Sequence, residues 1–93
     1  MSRRSRKDIQ RKINTLNVMT CGLEPNEVEW NTPGAWHLTS HQPGVKRIYA
    51  VERNSKLPGD GGAVVFSGYF DEVFTFLSGV ITGIHLTRTS NNG

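Results

Sequence analysis

Cys21, His37, His41 and His85 are the side chains of this sequence best suited to bind a metal or attack an electrophile. A structural zinc site needs about four such donors to converge, and with a single cysteine most of them would have to be histidines. His37 and His41 stand four apart, a spacing that brings two imidazoles together on a helix. Here they flank the end of a predicted strand and a turn, so that helical geometry is missing. The expectation is solvent-facing histidines, no metal and no cofactor.

Nucleophilic catalysis requires a base within hydrogen-bond reach of the attacking group. Neither Cys21 nor Ser78, in Leu77-Ser78-Gly79, lies in a recognisable local signature. Ser78 falls in the middle of a predicted helix rather than on a tight strand-to-helix turn. Cys21 reads as a buried or incidental thiol. Paired carboxylates occur at Glu27/Glu29, which reads as a solvated loop, and at Asp71/Glu72, which suits the first turn of a helix. No set converges, so the expected class is not an enzyme.

Two glycine patterns invite function and are set aside on context. Gly59-Asp60-Gly61-Gly62 lacks the Lys-Ser/Thr pair of a phosphate-binding loop and leads into a strand, so it reads as a connector. Gly79 and Gly83 have the spacing of a membrane-helix dimer motif, but on an amphipathic helix they point to a neighbouring backbone packed closely against them. A homodimer through them is left open.

Charge carries the clearest signal. Residues 1–12 contain Arg3, Arg4, Arg6, Lys7, Arg11 and Lys12 against the single acid Asp8, a net of +5. The remainder holds five basic and seven acidic side chains, so a mildly acidic domain carries a basic arm. Six cations so close together can neutralise several phosphates and gain counterion-release entropy without precise geometry. The alternative is a solvated helix face with a solubilising tail. No recognition-helix pair or aromatic RNA-binding motif accompanies the arm, so sequence-specific reading of nucleic acid is not expected.

The elements that would position these groups follow from length and periodicity. A 93-residue chain supports one core, and one cysteine excludes an internal disulfide and suits a reducing cytoplasm. Val73 to Leu86 is the longest apolar stretch, interrupted and too short to span a bilayer, so no membrane segment is expected. Ser5 and Asp8 have capping-box spacing, and Ile9, Ile13 and Leu16 recur at i, i+4 and i+7, which predicts a helix over 6–17. From Gly22 to Gly34 the chain reads as a long loop holding Glu24, Glu27 and Glu29. Trp30, within it, either plugs the core edge or projects as a contact, and core plugging is the expectation carried forward.

Alternation predicts a strand at 35–39, a type II turn at Gln42-Pro43-Gly44, a central strand over 46–53 and a third strand over 63–67. Pro58 to Gly62 reads as an irregular loop. Phe70, Val73, Phe74, Leu77, Val80, Ile81 and Ile84 then mark an amphipathic helix. The expected fold is α+β: N-terminal helix, three-stranded antiparallel sheet and C-terminal helix on one face, with the other face partly solvated. Residues 1–5 are a disordered basic arm, 6–88 one domain and 89–93 a flexible tail.

This pattern resembles small phage-encoded accessory proteins. The resemblance rests on the short helix ending Leu16-Asn17, the strands Trp36-His37-Leu38 and Ile48-Tyr49-Ala50-Val51-Glu52-Arg53, and the closing helix with Leu77-Ser78-Gly79. Some such proteins are similar to anti-CRISPR inhibitors, which bind a host defence protein stoichiometrically and catalyse nothing. The resemblance implies a non-enzymatic binder in the host cytoplasm acting on a host protein or nucleoprotein complex. Inhibitors that imitate DNA are acidic, whereas this arm is basic, so whole-surface DNA mimicry is not expected. No functional residues carry over. The candidate contacts are Arg3, Arg4, Arg6, Lys7, Arg11 and Lys12 for nucleic acid or an acidic partner, and Glu24, Glu27, Glu29 and Asp60 for a protein.

Overall fold

A computed structural model of the chain describes residues 5–56 and 61–92. Along it run α1 (Arg6–Cys21), a single 3₁₀ turn (Pro25–Glu27), β1 (Trp36–His41), β2 (Ile48–Asn54), β3 (Gly62–Gly68) and α2 (Phe70–Asn92). The three strands form one antiparallel sheet in the order β1-β2-β3, so β2 is central, as its two-sided apolar character requires. The fold is the expected α+β arrangement. Arg3, Arg4, Asp60 and most of the Pro58 to Gly62 loop lie outside the described residues, as does most of the expected arm over 1–5.

The start of α1 is set as its sequence implies: the Ser5 N–H donates to the Asp8 carboxylate at 2.6 Å. Its end is not. The helix runs four residues past Asn17, because the inward stripe of Ile9, Ile13 and Leu16 continues through two polar residues, Asn17 and Thr20, that both find partners on the sheet. Gly22 stops it with φ 69°, a conformation that favours glycine, and its N–H donates to Val18 O at 3.1 Å.

Alternation gives the sheet two unlike faces. Trp36, Leu38 and Ser40 pair with Arg53, Val51 and Tyr49, and this face meets the helices. The buried cluster is Ile9, Ile13 and Leu16 of α1, Trp36 and Val51 of the sheet, and Val73 and Leu77 of α2. Aromatic rings close its α2 side. Phe66 stacks on Phe76 at 4.5 Å between centroids, and Phe70 meets Tyr49 edge-on at 6.0 Å. The opposite face carries His37, Thr39, His41, Ala50 and Glu52. A register shift at Val51/Glu52 leaves Val65 as the extra residue of β3, and both Val64 and Val65 are exposed.

Three expectations need correction. The β1-β2 connection is not a type II turn: pairing ends at His41↔Ile48, and Gly44 is not among the glycines with positive φ. Six residues bridge the strands, and Arg47 holds this wider loop by donating to Ser40 Oγ at 3.2 Å and to Gln42 Oε1 at 3.4 Å. Gly79 and Gly83 meet no close backbone, since a Cβ on either would enter open space. They lie on the exposed side of α2, away from the Val73 and Leu77 stripe. Finally, α2 continues as helix to Asn92, beyond the start of the expected tail. Arg88 reaches back to donate to the Met19 carbonyl near the end of α1, supplying the cationic donor that a helix C-terminus lacks.

Candidate functional site

Asn17 joins α1 to the outer edge of β1. Its Oδ1 accepts the Trp36 N–H at 2.7 Å and its Nδ2 donates to the Trp36 carbonyl at 3.0 Å, the two bonds a neighbouring strand would make. One turn on, Thr20 Oγ1 accepts from Trp36 Nε1 at 3.1 Å. The other side of the indole lies under the Arg53 guanidinium, 4.6 Å from the ring centroid, and Arg53 Nε donates to Gly34 O at 3.1 Å. Trp36 is thus fixed by its backbone, its ring nitrogen and its face.

Beyond Asn17 a groove of about 270 Å³ runs beside β1. Gln10, Asn14 and Asn17 of α1 line one side, Pro25, Val28, Glu29 and Trp30 of the connecting loop line another, and Trp36, His37 and Leu38 line the strand side. Gln10 Nε2 donates to Asn14 Oδ1 at 3.1 Å, so the α1 side presents an ordered row of amides.

The loop side is held by β2. Asn54 Nδ2 lies 2.9 Å from both the Trp30 and Thr32 carbonyls and 3.1 Å from His37 Nε2. A short turn, with Thr32 N–H donating to Glu29 O and Glu29 N–H to Thr32 Oγ1, then directs Trp30 outward. Trp30 is 83% exposed, which overturns its expected role as a core plug. Trp36 fills that role instead. Close to Asn54, Gly62 has no room for a side chain: a Cβ there would come within 2.9 Å of Asn54 Oδ1.

The acidic loop residues have unlike positions. Glu27 Oε1 accepts the Glu24 N–H at 2.9 Å, closing the 3₁₀ turn, whereas Glu29 lines the groove beside Trp30. Among the described cations, Arg6, Lys7 and Arg11 are exposed, with Arg11 Nη1 3.8 Å from Asp8 Oδ1. Lys12 is drawn inward, its Nζ 4.6 Å from the centroid of the Phe74 ring. Among the described arm cations it is the one that also covers the core.

The chemistry-bearing residues are dispersed. His37 and His41 share a face of β1 but stand about 13 Å apart along an extended strand, and His85 is on α2. Among the described residues no group of three or more His, Cys, Asp or Glu is placed to hold a metal ion. Cys21 Sγ lies 3.4 Å from Gly34 O in a cleft with Leu23, Pro33, Arg53 and Lys56, and Ser78 Oγ donates to Phe74 O within α2. No described helix is long and apolar enough to cross a membrane.

Sequence reasoning missed Asn17, Thr20 and Asn54, whose partners are distant in the chain. The available signal was that Asn17 and Thr20 continue the i+4 spacing of Ile13 and Leu16. Comparison with protein-family models, curated proteins and solved structures finds no match to this chain.

Proposed function

We propose that this chain is a non-enzymatic binding module of the phage accessory type, attaching to a host protein or defence complex and modulating it, as an anti-CRISPR inhibitor does. The observation that supports this reading is Trp30, a large aromatic side chain held outward on a loop whose backbone is tied to β2 through Asn54. Tryptophan on a rigid support loses little freedom on docking and is the residue type most enriched among binding hot spots. Glu29 beside it and Glu24 on the same loop add charge for orienting a partner. On this reading the chain works in the host cytoplasm, its specificity lies in the folded part, and the basic arm adds attraction.

The test compares the full chain with Trp30→Ala as bait in one host lysate. One dominant protein captured by the parent and lost from the variant supports the reading. Equal capture by both, or nothing above background, overturns it.

A second reading, non-specific nucleic-acid binding, is favoured by the exposure of Arg6, Lys7 and Arg11 together on the first turns of α1. It requires duplex DNA binding that weakens steeply with salt and disappears when the exposed Arg6, Lys7 and Arg11 are replaced by glutamine. Absence of binding at low salt eliminates it.

A further inference from the structure

The groove beside β1 borders a strand edge. In an antiparallel pair, backbone groups point alternately toward the partner strand and away from it. Trp36 turns its N–H and C=O away from β2, to Asn17, so Leu38 and Ser40, two and four residues on, direct theirs to the same outer side. Asn17 satisfies the first of these positions, and no strand pairs with the next two, because β1 is the outermost strand of the sheet. The side chain of Asn17 already does to Trp36 what a paired strand would do to Leu38 and Ser40.

The two flanks of the groove differ: the loop side carries the acid Glu29 and the α1 side carries amides. Thr20 and Asn17 meet Trp36 at the start of β1. Lys12 lies over Phe74, which stacks near Phe70, whose ring meets Tyr49, the partner of Ser40 near the end of β1. On α1 the groove is lined by Gln10, Asn14 and Asn17, and the exposed Arg6 and Lys7 precede Gln10 by about one turn of the same helix, outside the lining, while Glu29 and Trp30 line its loop side.

We infer, resting on the protein-binding reading above, that this groove takes an extended segment of the partner protein, which adds to the sheet as a strand beside β1. The segment would be about five residues long, a usual strand length. Its alternate side chains face the Gln10 and Asn14 amides on one side and Trp30 on the other. A cation suits the position beside Trp30 and Glu29, and an acid the end near Arg6 and Lys7. A second copy of this chain is the poorer occupant. Its own β1 edge is flanked by the same α1 and loop, and these would meet their counterparts before the two edges could pair.

The probe is a random nonapeptide library displayed on phage and panned against the full chain, followed by amide hydrogen exchange of the protein with an enriched peptide. Enriched peptides should carry the base-to-acid order, bind Trp30→Ala about 30-fold more weakly, and slow exchange at Leu38 and Ser40 by about tenfold or more. His37, Thr39 and His41, whose amides face β2, should be unchanged. Panning against R6E/K7E should turn the acidic end of the selected peptides basic. Peptides that need Trp30 yet leave Leu38 and Ser40 unchanged overturn strand addition and leave the binding reading standing. Failure to enrich any peptide also overturns strand addition, while lysate capture with Trp30→Ala decides the broader reading on its own.

Discussion

The side chain of Asn17 and the backbone of Trp36 are paired at both polar atoms, with bonds of 2.7 and 3.0 Å, and Asn17 is the only buried polar residue of the described core. An amide on a helix thereby takes the place of a fourth strand for one residue of β1. The pairing fixes how far α1 stands from the sheet, and so the width of the groove beyond it.

Replacing Asn17 with alanine strands the Trp36 N–H and C=O in a buried setting. A loss of about 2 to 4 kcal/mol is expected from two groups deprived of partners. Asn17→Asp, which keeps an acceptor but sets a carboxylate against the Trp36 carbonyl, should be no better. Urea unfolding of both variants checks this, and a change below about 0.5 kcal/mol, the size of an ordinary surface substitution, would show that the pair is replaced by water.

Gly79 and Gly83 sit in the interior of α2 with open space where a Cβ would be. Alanine at each should stabilise the domain by about 0.5 to 1 kcal/mol by restricting the unfolded chain and favouring helix. Loss of stability in either variant, measured by denaturant midpoint at unchanged m-value, would mean that another surface covers this side of α2 in solution.

Leu77 is fully buried between α1 and the sheet. Its truncation to alanine should cost about 2 to 5 kcal/mol. Leu86, on the same helix but largely exposed, should tolerate alanine within about 0.5 kcal/mol. Paired thermal melts at one pH test the contrast.

Trp30→Ala should leave unfolding within about 0.5 kcal/mol of the parent, since the ring is exposed and its loop is held through backbone carbonyls. A large destabilisation would mean that the ring packs in solution after all. Trp36→Ala, by contrast, should cost about 3 to 5 kcal/mol. Tryptophan fluorescence distinguishes the two: quenching by acrylamide should come mainly from Trp30.

Much of the fold is legible because local periodicity and burial agree. Ile9, Ile13 and Leu16 announce α1, the two-sided apolar run Ile48 to Val51 announces the central strand, and Val73 and Leu77 head the α2 stripe. What was not legible depends on polar side chains acting at a distance. Nothing near Asn17 in the chain says that it will bond a residue nineteen positions away, so a helix end was expected there. The expected core role of Trp30 fails for the same reason: its outward turn is set by Asn54, which follows it by twenty-four residues. The groove needed all three segments in place before it existed.

Arg88 reaches Met19 across sixty-nine residues of sequence, and the apolar stripe of α1 is buried partly against Val73 and Leu77 of α2. During synthesis, α1 emerges from the ribosome long before either of those side chains exists. Until then Ile9, Ile13 and Leu16 lack the α2 part of their cover, and a helix of this kind draws most of its stability from such packing. The apolar stripe of α1 thus receives its full cover only once α2, the last element of the described chain, has been made.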